Sequence, residues 1–135
     1  MTTAQKTAHG PFEVKASPLP ADENCQSVGV MRMAFEKRFT GALEANSVVS
    51  MIGMMDQELG SGGYVALERL TGRLDGREGT FCLQHSCTMD RGKPTQNIVI
   101  VPDSGTGALQ GISGAMIIDI KDNGDHFYSL EYTIA

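Results

Sequence analysis

The sequence predicts an all-β fold, a small closed antiparallel barrel of about eight strands. Three observations predict it. Apolar and polar residues alternate in run after run, glycines punctuate the chain at short intervals, and a pattern built on those glycines occurs twice.

The alternation begins with Phe12, Val14 and Ala16 set against Glu13 and Lys15, the period-two signature of a strand with one buried face. Met31, Met33, Phe35 and Phe39 form a second row against Arg32, Glu36 and Arg38, with Lys37 breaking the apolar row. Phe81 and Leu83 alternate with Gln84 and Ser86, and further strands are expected at 48–55, 63–70, 96–101, 115–120 and 126–134. Ser17 to Asn24 reads as a linker, because Pro18 and Pro20 suit neither a helix nor a central strand. Met51 to Leu59 is the only helical window, and its length allows no more than a short turn of helix. Residues 1–10 are polar and expected to be loosely ordered; 1–135 otherwise reads as one domain.

The glycine pattern is an internal repeat. Thr71-Gly-Arg-Leu-Asp-Gly-Arg-Glu-Gly-Thr-Phe81 aligns without gaps to Thr106-Gly-Ala-Leu-Gln-Gly-Ile-Ser-Gly-Ala-Met116, and Thr40-Gly-Ala-Leu-Glu-Ala-Asn46 is a weaker copy. The reading is a repeated β-hairpin: the Leu fills the core near a strand end and the glycines supply the turn. An anion-binding loop at Ser104-Gly-Thr-Gly107 is the competing interpretation, but no Lys follows it in phosphate-loop fashion. Asp122-Asn-Gly-Asp125 signals a last hairpin, between 115–121 and 126–134.

Composition narrows the partners. The chain has 135 residues, 41% of them hydrophobic, with 11 Lys+Arg against 16 Asp+Glu and a net charge of −5. That balance disfavours nucleic acid. Arg69, Arg73 and Arg77 have Glu68, Asp75 and Glu78 beside them and read as a mixed, solvated surface. No run approaches the roughly 20 apolar residues of a membrane helix, so no membrane partner is expected. Three cysteines, Cys25, Cys82 and Cys87, with no apolar leader, fit a reducing, cytoplasmic setting. No cofactor motif and no metal-ligand spacing is present; His85 alone is too little for a metal. Tyr64-Val-Ala-Leu67, Asn97-Ile-Val-Ile-Val101 and Ala115-Met-Ile-Ile118 are apolar on both faces, which predicts that a second copy covers the outside, most simply in a two-fold dimer, with the N-terminal segment wrapping the outside as the alternative cover.

Gly63-Tyr-Val-Ala-Leu-Glu-Arg69, Leu83-Gln-His-Ser86, Val101-Pro-Asp-Ser-Gly-Thr-Gly107 and Tyr128-Ser-Leu-Glu-Tyr-Thr-Ile134 carry a resemblance. From about Gly10 to Ile134 the chain resembles a bacterial family of small proteins, a domain of unknown function. The resemblance implies an allene-oxide-cyclase-like β-barrel of about eight strands, often oligomeric, and no established reaction. Plant allene oxide cyclases and dirigent proteins share the barrel type, with a strand similar to Thr106–Met116. That comparison concerns fold only and assigns no catalytic residue.

Polar groups on the inward face are where a barrel's function should lie. If Leu74 and Phe81 face inward, stepping by two places Leu70, Glu68, Ala66 and Tyr64 on that face, with Leu83, His85 and Cys87 on the facing strand. Setting Leu74 opposite Phe81 makes Glu68 a diagonal neighbour of His85. A carboxylate beside an imidazole is a general base with its orienting partner, a grip for a ligand hydroxyl, or a buried structural pair. Cys82 falls on the opposite face from His85, against a thiolate–imidazole pair. In the last hairpin a two-residue turn pairs Met116 with Glu131 and turns Glu131 inward; a three-residue loop turns Tyr128 and Tyr132 inward instead. His126 reads as a solvated turn residue, and His9 has no case for a role. The pocket candidates are Glu68, His85, Tyr64 and Glu131. Three readings follow: a barrel binding a small apolar or amphipathic molecule, an isomerase or cyclase using the acid–imidazole pair, or a packed barrel acting only in assembly.

Overall fold

The computed structural model describes residues 5–135. Eight strands pair antiparallel in chain order: β1 (Lys6–Leu19), β2 (Met31–Phe39), β3 (Leu43–Asp56), β4 (Ser61–Leu74), β5 (Arg77–Asp90), β6 (Lys93–Ile100), β7 (Ile112–Ile120) and β8 (His126–Ile134). β8 pairs back onto β1, and the sheet closes into a barrel. The strands are longer than the alternation alone marked, because barrel strands run on past the buried rows into paired, exposed ends.

Several local expectations give way to closure. Of the segment 1–10 expected to be loosely ordered, residues 1–4 lie outside the described residues, while Lys6 to Gly10 pair with Tyr132 to Tyr128 and give β8 its second neighbour. Ser17 to Leu19 belong to β1 rather than to a linker; β1 there pairs only with β2, so Pro18 sits where no further strand needs its missing N–H. A short helix, α1 (Glu23–Val28), follows. Asp22 caps it, its carboxylate accepting from the Cys25 N–H at 2.8 Å, and Gly29 ends it at φ 85°. Met51 to Asp56 are strand, leaving only a turn from 57 to 60 in the window considered for helix.

The β4–β5 hairpin turns on Asp75 and Gly76, both at positive φ (49° and 82°), the two-residue turn whose twist matches its strands. The register therefore sets Leu70, not Leu74, opposite Phe81. The difference of four residues leaves every side chain on its expected face. The second copy of the repeat is no hairpin: Gly107–Leu109 form a 3-10 turn between β6 and β7. It packs against the first copy. The Thr106 N–H donates to the Thr80 carbonyl at 2.8 Å, and a Cβ at Gly79 would collide with the Thr106 carbonyl. In the last hairpin the Lys121 N–H donates to Asp125 O at 2.8 Å across residues 122–124, which pairs Met116 with Leu130. This is the three-residue alternative.

The interior is unequal along its axis. At one end Leu43, Leu74, Phe81, Leu109, Tyr128 and Tyr132 are fully buried in one apolar cluster. Toward the other end the inward rows leave space, and β6 meets β7 at only Ile98–Met116 and Val99–Ala115. No helix of the described residues is long and apolar enough to cross a membrane.

Candidate functional site

Four adjoining strands each place one polar side chain at the boundary between the packed and the hollow halves. The inward row of β2 reads Phe35, Lys37, Phe39; that of β3, Ala45, Ser47, Val49; that of β4, Ala66, Glu68, Leu70; that of β5, Leu83, His85, Cys87. Lys37 is opposite Ser47, while Glu68 is opposite Val49 and Leu83, so Ser47 and His85 reach it on diagonals. Stagger between barrel strands brings the four to one level.

They converge on the Glu68 carboxylate. His85 Nε2 lies 2.7 Å from Oε1, Lys37 Nζ is 3.2 Å from the same oxygen, and the Ser47 hydroxyl donates to Oε2 at 2.6 Å. The side chains of Glu68, His85 and Lys37 are 0%, 4% and 8% exposed. Lys37 Nζ also lies 5.2 Å from the Phe12 ring centroid and 5.9 Å from that of Phe39, within cation–π range. Burial alone would raise the Glu68 carboxyl, but the His85 hydrogen bond, the Lys37 charge and the Ser47 hydroxyl outweigh it and hold the group below its usual value. Glu68 is therefore an acceptor only, and His85 Nε2 donates to it. The second ring nitrogen, Nδ1, is left. His85 makes its side-chain hydrogen bond through Nε2 alone, so Nδ1 has no partner among the described residues, and the residue lines a cavity.

That cavity measures about 260 Å³ and is walled by Phe35, Val49, Met51, Tyr64 and Ile118, with Lys37 and His85 as its polar groups on the side of the charged layer. A second space of about 250 Å³ shares Met51 and Tyr64 with it and adds Met31, Met54, Met55 and Met89. Thioether side chains adapt to irregular apolar shapes, so this end suits a guest whose outline varies. Tyr64 lies between the two spaces. Its burial first, and its neighbour Cys87 second, push the phenol above its ordinary range, so it stays a neutral hydroxyl.

The inward phase thus brings Glu68 and His85 together and sets Tyr64 on the cavity wall. Glu131 goes elsewhere: it is exposed on the outer face, where Gln5 donates to it at 3.3 Å. The three-residue loop decides this, and puts Tyr128 and Tyr132 inside. The Tyr128 hydroxyl donates to Thr40 O at 2.7 Å and accepts from the Leu43 N–H at 3.0 Å; that of Tyr132 donates to Asp75. His126 is no free turn residue: its ring stands 5.2 Å from that of Phe12 at the rim of the cavity. His9 is exposed opposite Ser129. Cys25, Cys82 and Cys87 are free thiols. Glu68 is also no surface partner for Arg69. Lys37 and Ser47 complete the cluster without having been assigned to it from sequence; the signal was there, since each interrupts an inward apolar row.

Fold and site together define a class: an up-and-down antiparallel barrel, packed at one end and hollow at the other, with a charged layer between. The chain belongs to the family described as Protein of unknown function (DUF3224), which matches residues 8–132. It is similar to the crystal structure of a protein of unknown function from that family from Shewanella oneidensis MR-1. The TM-score is 0.88 at 39% sequence identity, covering 98% of this chain and 99% of that one. No curated protein matches the chain.

Proposed function

We propose that the barrel binds a small amphipathic molecule, its apolar body in the cavity and an acceptor oxygen at its polar end held by Lys37. One observation carries the reading: two members of a buried charged cluster, Lys37 and His85, line one side of a mostly apolar space. A barrel serving assembly alone would gain by filling that space, since empty apolar volume is destabilising. The space exceeds the ~150 Å³ that admits a benzene ring. Both Glu68 oxygens and the Ser47 hydroxyl proton are already engaged, whereas Lys37 uses one of three N–H donors on Glu68. The unspent capacity is mostly donor, so the guest brings an acceptor, a carbonyl rather than an amine.

Titration of methyl-labelled protein with cyclohexanone, followed by NMR, tests this. Saturable shifts of the Met51, Val49 and Ile118 methyls and of the His85 ring are expected. Signals that stay still at millimolar probe, or shifts confined to Val65 and Leu67 on the outer face, would overturn the reading.

A further inference from the structure

We infer that the same site moves a proton at the carbon next to the guest's carbonyl, with His85 as base and Lys37 holding the oxygen; this rests on the binding reading above. The observations are the orientation of the imidazole and the sharing of one oxygen. His85 donates its Nε2–H hydrogen bond to Glu68 at 2.7 Å, which fixes the ring; in the neutral imidazole the free lone pair is then on Nδ1, which has no other partner, on a residue that lines the cavity. Lys37 bonds the same Oε1, so ammonium and imidazole are neighbours on one cavity. A base beside a fixed positive charge, in an apolar space, is what enolisation requires: one group takes the α-proton while the other stabilises the oxygen on which charge develops. Glu68 is the positioning residue. It stays ionised, orients the ring and offsets the charge of the imidazolium that forms.

The substrate class is a small apolar ketone, and the reaction with the most visible outcome is double-bond migration in a β,γ-unsaturated one. The α C–H bond breaks and its proton passes to His85 Nδ1. The electron pair enters a dienolate whose oxygen faces Lys37. The imidazolium then returns the proton to the γ-carbon, and the double bond moves into conjugation with the carbonyl. No electron is gained or lost overall, the base is regenerated, and no co-reactant is needed.

Cyclohex-3-enone is a suitable probe, being of the size of a single ring. Its conversion to the conjugated enone is followed by absorbance, and α-deuteration in D2O by NMR on the same samples that report binding. Conversion above the buffer blank, saturating with probe, is expected. His85→Gln keeps an N–H for Glu68 and removes the base, and should lower the rate by about 100-fold or more; Glu131→Gln, on the outer face, should not change it. A probe that shifts the His85 ring yet shows neither deuteration nor conversion above the blank would overturn the inference and leave the binding reading standing, as would a His85→Gln variant as active as the wild type. A probe that never shifts the cavity residues removes the binding reading, and this inference with it. The comparison of wild type with blank does not depend on any variant folding.

Discussion

Replacing Glu68 with Gln preserves shape and removes one charge, and the surroundings set the consequence. Lys37 then keeps an ammonium that is 8% exposed without a counter-charge, while the new amide can hold its oxygen on His85 and Lys37 and turn its nitrogen to the Ser47 hydroxyl, which also accepts. Breaking a buried pair from one side costs ~3–5 kcal/mol. Water in the adjoining cavity can solvate part of the Lys37 charge, which favours the lower end, about 3 kcal/mol. In urea unfolding, with a slope of ~1–3 kcal/mol/M, the midpoint should fall by roughly 1–3 M. The double variant Lys37→Met with Glu68→Gln should recover most of the loss, because the stranded charge has gone. The same residue shapes the acid limb. Its folded carboxyl titrates below the ordinary 4.5, so its contribution is present above that pH and is lost as pH falls below it through the folded value. Wild-type stability should therefore drop more steeply there than that of Glu68→Gln. A single-variant loss under about 1 kcal/mol, the scale of an exposed pair, or no recovery in the double variant, would refute the claim that this is a buried, mutually compensated cluster.

Burial first, then the hydrogen bond to Asp75 and the Asp75 charge, push the Tyr132 hydroxyl from 10.0 up to about 12. The neutral phenol is favoured by folding, so this stabilisation is full below pH 10 and is lost as pH rises through about 12; Tyr132→Phe should flatten that alkaline decline, and equal slopes for the two proteins would remove the assignment. On the outer face of β3 and β4, Val48, Ile52, Val65 and Leu67 are 59%, 41%, 50% and 57% exposed, with Ile52 directly opposite Val65. A two-fold dimer covering this patch is expected, and Leu67→Lys should dissociate it; light scattering that gives the wild type its monomer mass of 14.5 kDa at micromolar concentration would refute the dimer.

What the sequence made legible was phase, and what it hid was register. Stepping by two from Leu74 and Phe81 assigns the correct face to Glu68, His85 and Tyr64, because the pleat fixes alternation however two strands slide by even numbers. The same stepping mispairs Leu74 with Phe81, since Asp75-Gly76 alone makes the turn and the remaining residues of the presumed connection extend β5. Glu131 hung on a single loop residue, and an odd slip reverses a face. The shared motif also folded two ways. Asp75-Gly76 closes a hairpin, whereas Gln110-Gly111 at the matching positions follows a 3-10 turn that lies across the first copy. Lys37 and Ser47 were hidden for another reason: nothing local says which strands of a closed barrel meet at one level, and stagger around the wall decides it.

The position of the charged layer bears on what it is for. A buried ion pair is weak evidence of a contribution to stability, because apolar side chains of similar volume often serve as well or better. The packed half of this barrel shows that the chain can fill its interior that way: there Leu43, Leu74, Phe81 and Leu130 are buried together with Tyr128 and Tyr132, whose hydroxyls are anchored by hydrogen bonds. Of the cluster, Lys37 and His85 line the cavity, and Glu68 and Ser47 are buried beside them. Ions placed there carry a desolvation cost that a Leu or Phe would avoid, and the two members that line the cavity, Lys37 and His85, keep hydrogen-bonding capacity that Glu68 does not use, on the ammonium and on Nδ1. A cluster serving only to hold four strands together would do so equally well inside the packed half. Its place at the cavity is explained if what matters is the chemistry that those two nitrogens present to a guest.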